Sequence, residues 1–433
     1  MVSLPADVPK NKAPSTGEES YRLLYAPLFL IGFALRFGFV LWRKLYVPIP
    51  GAPYPFGMEV CSIAAHLARG QGFSSPFVQD TGPTAWVAPL YPFLVSLVFR
   101  LFGIYSAASA AVMLGIQCAM AAATGVCIHV LGRRTFGERI GYWAAWIWTL
   151  SPIFFRWPAS WIWDFAASGL FVAVVFILTL DLAQTGLRRQ WALLGALWGV
   201  AALTNPALLS LFPFTLAYAV FTNQRANQRW VASAILCCAL FVAIIFPWLV
   251  RNDLVFGHPV FLRSNFWFEL HLGNYHYSNG MGFSGKHPGG NPREFKNYAD
   301  WGEQQYIAHY KNEALQFVRE YPREFLSLTL HRAWWFWDGT PLLYQSAEWW
   351  KPWEFWPLSC LGWLGLLFAL TRRPTGWFLF AVALVIYPLP YYFTFAVSKY
   401  RYAIEPEMLL LAVYLVFVVW NELRQSKSPQ KVQ

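Results

Sequence analysis

The stretch Val231–Val250, VASAILCCALFVAIIFPWLV, carries no charged side chain anywhere along its length. A bilayer core about 30 Å thick takes about 20 apolar residues of helix to cross, and every backbone N–H and C=O inside lipid must be bonded within its own segment. A stretch of this kind has one stable outcome, a membrane helix. Similar runs recur along the chain with short basic clusters between them. Of the 433 residues, 57% are hydrophobic and only 13% charged, too little charge to cover the surface of a water-soluble protein of this size. The expected fold class is an all-α polytopic membrane protein.

The formal net charge of +11 would point to nucleic acid in a soluble chain. Here the Lys and Arg sit in short connections between apolar runs, a pattern that reports membrane orientation, and no nucleic-acid partner is expected. The six cysteines lie mostly inside apolar runs without CxxC spacing and read as packing residues. A polar tail with acids, Pro and Gly precedes the first run, and no small-residue cleavage site follows it, so the run reads as a retained anchor.

Topology turns on Pro89–Phe102. At about 14 residues it falls short of a span, and it carries Pro89, Pro92 and Arg100. If it does not cross, the clusters Arg133/Arg134/Arg139, Arg188/Arg189, Arg225/Arg229, Arg372/Arg373 and Arg424/Lys427/Lys431 all fall on the cytoplasmic side. The positive-inside rule favours that arrangement. About ten spans then follow: Leu23–Trp42, Ser106–Leu131, Gly141–Phe155, Asp164–Ala183, Trp191–Leu203, Ala207–Phe221, Val231–Val250, Trp356–Leu370, Trp377–Phe395 and Glu407–Trp420. Residues 1–22 read as a cytoplasmic tail and 23–250 as a transmembrane module containing a large external loop at 43–105. Residues 251–355 form a long external region between spans seven and eight, 356–421 the C-terminal membrane helices, and 422–433 a second cytoplasmic tail. Arg36, inside the first span, costs roughly 2.5–3.5 kcal/mol to insert at a helix centre and is expected to face protein or a cavity.

The first external loop concentrates turn residues and an amphipathic helix. At helical spacing Glu59, Ile63, His66 and Gly70 share one face, which places Glu59 and His66 toward a common cavity. The external region 251–355 holds His258, His271, His276, His287, His309 and His331. Their spacing matches no metal-ligand pattern and suits a hydrogen-bonding surface for a sugar or lipid headgroup. Asp300 and Glu303 form a capping-box-like start for a helix running to Tyr321, with Tyr306, Tyr310, Ala314 and Phe317 on its apolar face. A second amphipathic helix, Arg323–Trp337, ends in Trp334, Trp335 and Trp337 and is expected to lie over the membrane.

Six segments carry a family likeness in this order: GMEVCSIAAHLARGQGFSSPF, TGPTAWVAPLYP, LGRRTFGERIGYWAA, LWGVAALTNPALL, PWLVRNDLVFG and SKYRYAIEPEMLLLA. Together they resemble the GT-C glycosyltransferases, specifically glycosyltransferase family 39, the protein mannosyltransferase-like group. The resemblance implies a polyprenyl-phosphate sugar as donor and a protein, lipid or glycan as acceptor, with the reaction on the periplasmic side of a bacterial inner membrane. It places an acid of the first external loop beside the transferred sugar, which is Glu59 here. Relatives often carry Asp or two adjacent acids at that place, whereas Glu59 stands alone between Met58 and Val60. Asp164, in SWIWDFAASG, matches a second external acid that orients acceptor or, in metal-using relatives, holds a divalent metal; no obligatory cofactor is implied.

On this reading Glu59 is the general base. His66, Arg251, Asn252, Lys399, Arg401 and Tyr402 are the substrate-binding candidates, and Arg251 and Arg401 are the phosphate partners because a guanidinium offers paired donors. Two other functions suit the same sequence: a transporter or flippase for lipid-linked sugars, and a non-catalytic assembly subunit of the same fold. The chain shows no internal repeat of the transporter kind.

Overall fold

The computed structural model describes residues 16–49, 56–77, 79–276, 278, 280, 285–339 and 352–427. In chain order the helices are α1 (Thr16–Trp42), α2 (Glu59–Ala68), α3 (Leu90–Phe102), α4 (Ala107–Thr135), α5 (Glu138–Leu150), α6 (Arg156–Ser160), α7 (Phe165–Thr185), α8 (Arg188–Thr204), α9 (Phe212–Arg225), α10 (Val231–Phe256), α11 (Phe266–Gly273), α12 (Pro292–Trp301), α13 (Glu303–Glu320), α14 (Pro322–Asp338), α15 (Pro352–Arg372), α16 (Trp377–Val385), α17 (Leu389–Phe393) and α18 (Glu405–Lys427). Among the described residues there is no strand, only an isolated bridge between Ser74 and Pro83. The chain is an integral membrane protein of the all-α class.

Among the described residues, seven stretches are long and apolar enough to cross a bilayer: α1 from Leu23, α4, α7, α10, α15 from Phe355, and the two in which a tight 3-10 turn leads into α9 and α18. The other helices of the ten-span count are shorter, with 13 residues in α5, 17 in α8 and 9 in α16. α3 also has only 13 residues, about 20 Å of helix. α1 begins at Thr16, so part of the expected tail is helical, while residues 1–15 lie outside those described; α18 runs on to Lys427.

Lipid provides no hydrophobic drive between helices, so close approach at small residues holds them together. Gly195 of α8 is the clearest case, since a Cβ there would meet the Cys237 carbonyl oxygen of α10 at 2.1 Å. Arg36 follows the expectation that it faces protein. Its guanidinium donates to the carbonyls of Trp148 at 2.7 Å and Thr149 at 3.4 Å, near the C-terminus of α5, and lies over the Phe155 ring. It thereby satisfies helix-end carbonyls that have no intrahelical donor.

α2 packs on α3, α11 on α13, and α13 also on α12 and α14. The capping box expected at Asp300 and Glu303 is absent. α12 runs through Asp300 to Trp301, Gly302 turns the chain at φ 75°, and the Glu303 side chain points into the interior instead. The face of Tyr306, Tyr310, Ala314 and Phe317 is buried as the periodicity predicts, and Pro322 begins a new helix.

Candidate active site

Glu59 is the first residue of α2, where the helix dipole favours a negative charge. Gly57 makes its position possible: a Cβ there would lie 2.3 Å from the Ile162 carbonyl oxygen, so only glycine lets this chain pass so close to the segment that carries Asp164. That segment is held from the other side by Gln117 of α4. Its amide donates to the carbonyls of Pro158 at 2.8 Å and Trp161 at 2.9 Å, and its oxygen accepts from the Trp163 N–H at 3.1 Å.

Glu59 and Asp164 therefore line one cavity of about 1050 Å³. Its walls also carry Arg263, Glu269, His287 and Lys399, with Trp86, Trp163, Tyr391 and Tyr400 among the aromatic rings. The mixture of aromatic walls and a few convergent charges is the usual make-up of a small-molecule site.

The two acids differ in protonation. Burial would raise Glu59, but the hydrogen bond from His287, whose Nε2 lies 3.2 Å from Glu59 Oε1, takes it below the usual carboxylate range. Asp164 caps the start of α7 without a side-chain capping bond. Burial pushes it up to about 7, with Arg263 and Lys399 only partly offsetting that effect. Arg263 pairs with Glu269 and donates to Asn265 Oδ1 at 2.6 Å. Burial works against its charge, and Glu269 is the main neighbour that restores it. The Lys399 ammonium lies 5.7 Å from the rings of both Trp163 and Phe165.

Of the residues singled out from sequence, the structure brings Glu59, Asp164 and Lys399 together. The others lie elsewhere. His66 does not line the cavity; its Nδ1 meets the Ser62 carbonyl of its own helix at 2.9 Å. Arg251 donates to the carbonyls of Thr84 at 2.7 Å and Phe73 at 2.8 Å and lies over Trp248, so it clamps the first loop to α10. Asn252 bonds the carbonyls of Val260 and Phe261. Arg401 is fully buried, ion-paired to Glu405 at 3.2 Å and bonded to Ser359 Oγ at 2.7 Å. Tyr402 packs on Trp148 with its hydroxyl toward the Phe154 carbonyl. The donors named here are spent on protein partners, and neither Arg251 nor Arg401, the phosphate partners expected from sequence, lines the cavity.

Sequence reasoning missed Arg263 and Glu269, and it left His287 among six histidines without a role. The available signal for His287 was the Pro-Gly-Gly that follows it, which marks a rigid turn; its partner across more than two hundred residues is visible only in the fold. Glu303 was missed too. It accepts from Thr84 Oγ1, the Ala85 N–H, Ser264 Oγ and the Tyr298 hydroxyl, joining the first loop to the later external segment. Burial raises its pKa and those four donors offset the rise only in part. Among the described residues no three His, Cys, Asp or Glu side chains come together to hold a metal. The cavity acids Glu59 and Glu269 are instead each tied to a basic neighbour.

Residues 86–250 match the family model described as dolichyl-phosphate-mannose-protein mannosyltransferase. The apo oligosaccharyltransferase of Archaeoglobus fulgidus superposes with a TM-score of 0.51 at 14% identity, over 94% of this chain and 51% of that one. The fold is GT-C. The same archaeal enzyme in complex with an inhibitory peptide and a dolichol-phosphate gives 0.47 at 12% identity, over 96% and 52% of the two chains. ArnT from Cupriavidus metallidurans bound to undecaprenyl phosphate gives 0.38 at 12% identity, over 96% and 82%. The chain thus spans about half the length of the archaeal oligosaccharyltransferase. Among curated protein sequences nothing matches.

Proposed function

We propose that the chain is a membrane glycosyltransferase that moves a sugar from a polyprenyl-phosphate donor to a hydroxyl acceptor, protein or lipid or glycan. The reaction is assigned to the periplasmic face of a bacterial inner membrane. The observation that carries this reading is the convergence in one cavity of a carboxylate kept ionised, Glu59, with two cations, Lys399 and Arg263. The family match over residues 86–250 supports the same donor class.

In the reaction Glu59 takes the proton of the acceptor hydroxyl as its oxygen attacks the anomeric carbon. The bond from that carbon to the phosphate oxygen breaks, and the lipid phosphate leaves as an anion. Such a leaving group needs positive charge rather than a proton, which Lys399 and Arg263 supply from the walls of the same cavity. Arg263 takes the role that sequence reasoning gave to Arg251 and Arg401. Asp164, with its pKa near neutrality, orients the acceptor.

The test is transfer by purified protein from a synthetic polyprenyl-phosphate sugar. Glu59→Gln is expected to lower turnover 10²-fold or more, in line with losing a positioned base, with donor binding retained. Near-normal turnover of Glu59→Gln at equal protein level would end the claim for this residue. Efficient transfer from a nucleotide sugar with no lipid carrier would overturn the donor assignment.

A further inference from the structure

His287 is fixed by its own turn and by the rings around it. Its Nδ1 accepts the Gly289 N–H at 3.0 Å, and its carbonyl accepts the N–H groups of Gly290 and Asn291 at 2.9 and 3.0 Å. Pro288 stiffens the turn between them, and the Asn291 side chain caps α12 immediately after it. Three rings enclose the imidazole: Phe77 at 5.7 Å, Trp86 at 6.1 Å and Phe268 at 5.7 Å between centroids. Two come from the first external loop and one from α11, so the ring is fixed by parts of the chain distant in sequence.

This arrangement settles where the imidazole proton sits. An N–H can donate only to a lone pair, so Nδ1, facing the Gly289 N–H, carries no proton. The proton is on Nε2, and Nε2 lies 3.2 Å from Glu59 Oε1. Both ring nitrogens are therefore committed. His287 has no lone pair left to accept a substrate proton, and it is not the base itself.

Resting on the reading of Glu59 as the base, we infer that His287 is the positioning residue of the reaction: its Nε2–H holds one oxygen of Glu59 so that the carboxylate presents itself to the acceptor hydroxyl in a single orientation. The Gly289 N–H is part of the same device, because it excludes the other tautomer. Glu59, which has no acidic neighbour in the chain, thus gains from a distant segment the fixed orientation that such a neighbour would otherwise give it. Orientation of a reactive group by such a hydrogen bond raises rate without contributing donor affinity.

The experiment compares His287→Gln and His287→Asn in the purified full-length chain with the polyprenyl-phosphate sugar. A glutamine amide reaches the place of Nε2 and can donate to Glu59; the asparagine amide reaches only the place of Nδ1. His287→Asn is expected to lower kcat roughly 10–100-fold, the range that partners orienting a reactive ligand contribute, with donor KM within about 2-fold of wild type. His287→Gln is expected to recover most of that loss. In a Glu59→Gln background, His287→Asn should cost nothing further, since its effect passes through Glu59. Equal losses for Gln and Asn, an unchanged kcat for Asn, or the same additional loss in both backgrounds would each overturn the proposal. If Glu59→Gln itself keeps normal turnover, it is the assignment of the base that fails; a dead Glu59→Gln beside a normal His287→Asn removes only the role of His287.

Discussion

Glu59 and Asp164 line one cavity, yet their surroundings push their protonation apart, which is how two carboxyls take different tasks at one pH. Glu59 accepts a proton only when ionised, so its contribution to rate is present above its lowered pKa and lost as pH falls through it. The acid limb of kcat/KM is expected below the ordinary glutamate value of about 4.3. Asp164 behaves in the opposite sense. It is neutral below about 7 and ionised above, and its new negative charge then competes with the donor phosphate for Lys399 and Arg263. Donor KM should rise as pH passes 7 in the wild type and stay flat in Asp164→Asn; a rise in both would exclude Asp164 as the cause. Among the cations, Lys399→Ala should raise donor KM about 10-fold or more, because a hydrogen bond to a charged group contributes about 1.5–3 kcal/mol. Arg401→Ala should act differently. Removing one member of a buried pair costs about 3–5 kcal/mol, so the variant is expected to lose thermal stability, measured by unfolding in detergent, before it loses donor affinity.

α14 works on two faces. Arg332, buried on the inner one, bonds the carbonyls of Tyr392 and Gly273, both at 2.7 Å, and Asn274 Oδ1 at 2.9 Å, tying α14 to α17 and the end of α11. Burial lowers its pKa to about 10, still far above neutrality. The outer face presents Leu326, Leu330 and Trp334, each well exposed and four residues apart, with the Trp334 ring edge-on to Trp356 of α15. An apolar stripe ending in tryptophan beside a span fits the headgroup level of the bilayer. In nanodiscs containing brominated lipid, a protein whose fluorescence comes mainly from Trp334 should be quenched relative to ordinary lipid. Absence of quenching would place α14 away from the membrane surface.

At the scale of the whole molecule, the orientation of the bundle decides whether Asp164 and Glu59 face the same compartment as the donor. If α3 does not cross, the positive-inside rule puts the basic connections near Arg133 and Arg188 on the cytoplasmic side and the segment around Gly285 outside. In a cysteine-free background, Gly285→Cys, where a Cβ meets nothing within 4 Å, should be labelled by an impermeant thiol reagent in intact cells. Cysteines at Arg133 and Arg189 should be labelled only after the membrane is opened. Labelling of Arg133→Cys from outside would reverse the orientation assigned here.

Apolar runs of membrane length, the turn residues around Glu59 and the burial periodicity of α13 are local properties, and local properties are legible along a chain. They led to the helical membrane class, to α2 with its acid and to Lys399 at the end of an apolar run, while Asp164 came from the family resemblance. What a polar side chain points at depends on contacts between segments far apart in sequence. Arg251 and Arg401 looked like phosphate ligands because each stands near the end of an apolar run, but nearby carbonyls and Glu405 take up their donors. Glu303 looked like a helix cap and is instead the joint between two external segments. Arg263 and His287 entered the site only when the chain folded back over α2. A buried polar group must find partners wherever the backbone brings them, so the sequence alone determined which residues need partners, and only the tertiary structure decided which partners they have.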